Sequence, residues 1–124
     1  MDKTQGMIEA TGIEPISPKL RASYELATTP ALVVRVRAAA VKGAIAVAAE
    51  APNTANHARR LQLASQVLMS PGRWAEIMAE GVAANGSVVT KAMANQEIPD
   101  GDIEYTVNSL WDAYAGSDGG VERA

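Results

Sequence analysis

Apolar positions along this chain recur with helical rather than strand spacing, most plainly between Ile98 and Gly116, IPDGDIEYTVNSLWDAYAG. There Ile103, Val107, Leu110, Trp111 and Tyr114 fall at i, i+4, i+7, i+8 and i+11, one side of a 3.6-residue period, with Glu104, Asn108 and Asp112 on the other. Pro99 and Asp100 mark its start, Asp100 as a capping acid and Asp102 as a favourable charge for the helix dipole; Gly116 marks its expected stop. Upstream, Thr29 to Glu50 reads as the longest helix, opened by Pro30 and closed before Pro52. Its polar sector is narrow, holding Arg35, Lys42 and Glu50, while Leu32, Val33, Val36, Ala40, Val41, Val47 and Ala48 spread over most of the rest. A helix so widely apolar belongs at the centre of a fold or between subunits. Gly43 within it predicts the close approach of another backbone.

The pattern predicts three more helices in the body of the chain. One runs from a cap at Asn53 or Thr54 to Met69, with Leu61, Ala64 and Leu68 inward. A second starts at Ser70–Pro71, carries Trp74, Ile77, Met78, Gly81 and Val82 inward, and stops at Gly86. A shorter one spans Ser87 to about Asn95. The first 29 residues read as an extended arm, with a short helix at 18–27 started by Ser17–Pro18 and carrying Leu20, Tyr24 and Ala27; Met7, Ile8, Ile13 and Ile16 follow no sustained period. Residues 117–124, SDGGVERA, read as a flexible tail. The expected architecture is all-α: an N-terminal arm over 1–29, an antiparallel bundle of four to five helices over 30–116, and the tail.

Composition narrows the chemistry. The chain has 124 residues, one domain's length, and is 48% apolar but only 4% aromatic, with no Phe. A core this rich in alanine buries little area per residue, so neighbouring subunits are a natural source of further burial. The absence of cysteine removes disulfides, thiolate nucleophiles and nearly every structural zinc pattern. MDKTQGMIEATGIEP contains no apolar h-region and the stretch 43–49 is far too short to span a bilayer, so a cytosolic, non-membrane protein is expected.

The net charge of −3 conceals a sorting by sign. Residues 31–74 hold Arg35, Arg37, Lys42, Arg59, Arg60 and Arg73 against Glu50 alone, a balance of +5, whereas 75–124 hold nine acids against Lys91 and Arg123, a balance of −7. Two readings are open: opposite faces that steer contact between copies, or halves that fold together and neutralise one another.

No catalytic signature emerges. His57, the sole histidine, has no accompanying nucleophile motif and is read as structural or interfacial. Asp100, Asp102 and Glu104 lack the spacing of a calcium loop and are explained by helix-start electrostatics. There is no phosphate-binding glycine pattern, and no cofactor is expected. Arg35, Arg59 and Arg60 are the candidate phosphate contacts of an alternative class, a small nucleic-acid-binding regulator.

Two segments, NTANHARRL at Asn53–Leu61 and the closing IPDGDIEYTVNSLWDAYAG, resemble small virion structural proteins of tailed bacteriophages. The resemblance covers about the last two thirds of the chain and brings no active-site motif. It implies a head–tail connector, or neck, subunit that forms a homo-oligomeric ring with portal or tail-side proteins, assembled in the host cytoplasm, resident in the virion and lying near DNA. A capsid-associated role is the alternative within the same class. On this reading the subunit contacts are expected at Ile8, Ile13 and Ile16 of the arm, and at Arg35, Arg37, Arg59, Arg60, Glu104 and Asp112.

Overall fold

The computed structural model describes residues 17–122, and among them the chain is all-helical. Six helices follow in order: α1 Pro18–Ala27, α2 Pro30–Ala48, α3 His57–Met69, α4 Pro71–Ala83, α5 Gly86–Met93 and α6 Asp100–Glu122. Six replaces the expected four to five because the segment at 18–27 is a full helix that packs on α2, α4 and α5. Residues 1–16, including Ile8, Ile13 and Ile16, lie outside the described residues. No helix among the described residues is long and apolar enough to cross a membrane.

Three of the starts use proline at the first turn, where its missing N–H costs nothing. Ser17 caps α1 by accepting a hydrogen bond from the Leu20 N–H at 3.1 Å. Thr29 stands at the cap position of α2 but does not cap it; its hydroxyl donates to the Glu25 carbonyl at 2.8 Å and ties the α1–α2 corner together.

Several expected boundaries move. Helix α2 ends at Ala48, and α6, with 23 residues against 19, is the longer helix. Neither Asn53 nor Thr54 caps α3; the chain turns through 51–56, with Asn56 in the left-handed region at φ 60°, and the helix begins at His57. Gly86 does not stop α4 but opens α5, because the Asn85 side chain accepts from the Ser87 and Val88 N–H groups and so caps a new helix at that point. Asp100 is not the cap of α6 either: the Pro99 carbonyl accepts from the Asp102 N–H at 3.1 Å, and the Asp100 carboxylate turns to Arg35. Helix α6 continues through Gly116 to Glu122, so the expected stop and most of the expected tail are helical.

Helix α2 is central, in contact with α1, α3, α4 and α6. It buries Leu32, Val36, Ala39, Ala40, Gly43, Ala44 and Val47. The approach at Gly43 is made by a side chain, not a backbone: the Trp111 indole lies over it, and a Cβ there would come within 3.1 Å of Trp111 Cε2. Gly81 on α4 does the same for Leu110 and Tyr114 of α6, where a Cβ would meet Leu110 Cδ1 at 2.8 Å. Small residues on α2 and α4 therefore make room for the few large ones on α6. Trp111, Ile103 and Val107 are buried, and Leu110 and Tyr114 pack at the edge of the core.

The inner face of α3 differs from expectation. Leu63, Ala64 and Val67 are buried, whereas Leu61 and Leu68 are exposed. The helix carries two apolar stripes, and the buried one includes the position of Arg60, which is drawn toward Glu50 and Asp112. On α1, Leu26 and Ala27 meet the core while Leu20 and Tyr24 stay outside.

Candidate functional site

Ion pairs join the two halves of opposite sign. Arg35 of α2 donates to Asp100 from Nε and Nη2, at 3.1 and 2.6 Å, and also to the Ile98 carbonyl. Lys42, two turns on, reaches Glu104 at 3.4 Å, and Lys91 of α5 reaches Asp102 at 2.7 Å. Asp100, Asp102 and Glu104 thus face three different cations, and no group of three or more metal-ligating side chains converges among the described residues.

The tightest cluster lies where the α2–α3 turn meets α6. Arg60 makes a two-pronged pair with Glu50, at 3.1 and 2.6 Å, and a further bond to Asp112. The Arg60 and Glu50 side chains are 15% and 24% exposed, which shields the pair from solvent screening. Hydrogen bonding to Arg60 holds the Glu50 carboxyl below its ordinary range despite the opposing effect of burial, and the Glu50 carboxylate in turn raises Arg60. His57 Nδ1 is buried without a hydrogen-bond partner, 3.9 Å from Glu50 Oε1. The cluster contains a guanidinium fork, two carboxylates and an imidazole, and it anchors α3 and α6 to the end of α2. Tyr114, half-buried against Trp74 with ring centroids 6.1 Å apart, has its phenol pushed up by burial and secondarily by Glu80.

Of the residues expected at subunit contacts, Arg35, Arg60, Glu104 and Asp112 are engaged within the chain. Arg37 and Arg59 are exposed and make no ion pair with another described residue. Arg35 and Arg60, two of the three arginines offered as phosphate contacts, are thus already paired with carboxylates of the same chain.

Two apolar surfaces replace the charged ones as candidates. The first is the outward face of α2, where Val34, Ala38, Val41 and Ile45 follow one another at alternating steps of four and three residues. Val34 and Ile45 are 66% and 60% exposed. Helices pair through this spacing, since it keeps one stripe turned to a partner. The second is a cleft of about 630 Å³ between α1, the start of α2 and α4, lined by Leu20, Tyr24, Ala27 and Val33 with Glu76 and Glu80 along its α4 side. The breadth of the apolar sector on α2 was the sequence signal for the first surface. For the second there was none, because Leu20 and Tyr24 have the spacing of core residues. No family model, curated protein or solved structure matches the chain.

Proposed function

We propose that this protein is a structural assembly subunit, an antiparallel helical bundle that joins copies of itself and neighbouring proteins through apolar helix faces. The observation that carries the reading is the outer stripe of the central helix, where Val34, Ala38 and Ile45 are exposed and Val41 is half-buried. A helix that is apolar on its inner and outer sides alike has its second side matched by another subunit. The engagement of the acids at the start of α6 with three separate cations supports the same class, since those acids act in holding the fold.

Within that class, the likeness of NTANHARRL and IPDGDIEYTVNSLWDAYAG to tailed-phage virion proteins favours a head–tail connector, or neck, subunit that forms a ring with portal or tail components. Purified protein, alone and mixed with portal, is the test. Light scattering and electron microscopy are expected to show oligomers and rings. A chain that stays monomeric under both conditions overturns the proposal.

A further inference from the structure

One apolar surface stands out on a helix and the other is a cleft, and their flanking charges are opposite in sign. The α2 stripe is a ridge, and the charges flanking it are basic: Arg35 and Lys42 along one edge, Arg37 along the other. Asp100 and Glu104 already neutralise the first edge. Arg37 is exposed on the second and pairs with no described residue. Paired antiparallel with its own copy, the ridge sets Arg37 against Arg37, which costs free energy; paired parallel, it sets Arg37 against an edge whose carboxylates are already engaged. The ridge therefore suits a concave apolar surface with an acidic side.

The cleft beside α1 is such a surface. Leu20 and Tyr24, one helical turn apart, are 50% and 64% exposed over its apolar floor. Glu76 and Glu80, one turn apart on α4, are exposed along its side and make no ion pair with a described residue. Two carboxylates spaced by a turn present a line of negative charge parallel to a helix, which can meet Arg37 once the ridge is seated.

We infer that the α2 ridge of one copy docks into the α1–α4 cleft of the next, with Arg37 set against Glu76 and Glu80. The inference rests on the assembly reading above and deepens it by naming both halves of the contact. Because donor and acceptor surfaces differ, the contact is heterologous: each copy gives a ridge and receives one, which propagates into a ring or filament rather than stopping at a two-fold dimer.

The test uses the full chain and two kinds of variant, with circular dichroism to verify the fold. Ile45→Asp, or Arg37→Glu, disables the ridge; the pair Glu76→Lys and Glu80→Lys disables the cleft. By sedimentation velocity the wild type is expected to associate with rising concentration, and each variant alone to associate about tenfold more weakly or not at all. Mixed one to one, the Ile45→Asp variant and the cleft variant retain a single intact ridge–cleft contact between them, so a discrete heterodimer and nothing larger is expected. Combining Arg37→Glu with the two lysines in one chain is expected to restore association. If the wild type assembles but the cleft variant assembles equally well, or the mixture forms no heterodimer, this inference fails and the assembly reading stands. A wild type that remains monomeric alone overturns this inference, and one that also stays monomeric when mixed with portal overturns the assembly reading.

Discussion

The inner and outer faces of α2 are made from the same few residue types, yet one is closed over completely and the other stands in water. Inward, Val36, Ala40 and Ala44 are fully buried, and Gly43 admits the Trp111 indole. Outward, Val34 and Ile45 keep more than half of their surface exposed. Inward, Gly43, Ala40 and Ala44 let Leu32, Val36 and Val47 close against the other helices at short distances, in a core with few aromatic rings; outward, side chains of the same kind stay exposed among the described residues.

Trp111→Ala breaks the inner face most severely. It empties the space over Gly43 and is expected to cost about 3–5 kcal/mol in urea unfolding, enough to unfold a marginal domain. Next comes the clamp that orients the helices around that face. Arg60→Met leaves Glu50 partly buried with only His57 beside it and is expected to cost about 1–3 kcal/mol by the same measurement.

The clamp also predicts a pH dependence. The folded Glu50 carboxyl is lowered from an ordinary value of 4.5, so on acidification the unfolded chain takes up that proton first. The clamp's contribution is full above that value and is lost as the pH falls below it toward the folded value. Glu50→Gln is expected to flatten that part of the profile of thermal midpoint against pH. Arg35→Ala, at a far more exposed pair with side chains 36% and 80% exposed, is expected to cost about 0–1 kcal/mol. Least of all, Val34→Ser and Ile45→Ser on the outer face are expected to shift monomer stability by about 0.5 kcal/mol or less while weakening association. A large destabilisation from either would mean that the outer face belongs to the core.

Sequence pattern reached the elements whose signals are local. The Ser17–Pro18, Thr29–Pro30 and Ser70–Pro71 pairs located three helix starts to the residue, and the stripe from Ile103 to Tyr114 identified the inward side of α6. It failed where tertiary partners decide. Gly86 looks like a stop until Asn85 is seen to cap α5, and Gly116 is tolerated inside a helix although glycine usually ends one. On α3 two apolar stripes compete, and Arg60 reaching Glu50 and Asp112 selects Leu63 and Val67 over Leu61 and Leu68. The sorting of charge was legible, but its use was not. Arg35 and Asp100 are 65 residues apart, and only folding brings them together. Four of the residues expected at subunit contacts are spent inside the chain in this way, and the candidate surface moves to the apolar positions between them.

Whether the outer face of α2 is an assembly surface is decided by sedimentation velocity of the wild type and Ile45→Asp across the same concentration series. Concentration-dependent association in the wild type, absent from a variant with unchanged thermal midpoint, is the expected result. Equal association of the two chains, or a wild type that is monomeric throughout, contradicts it.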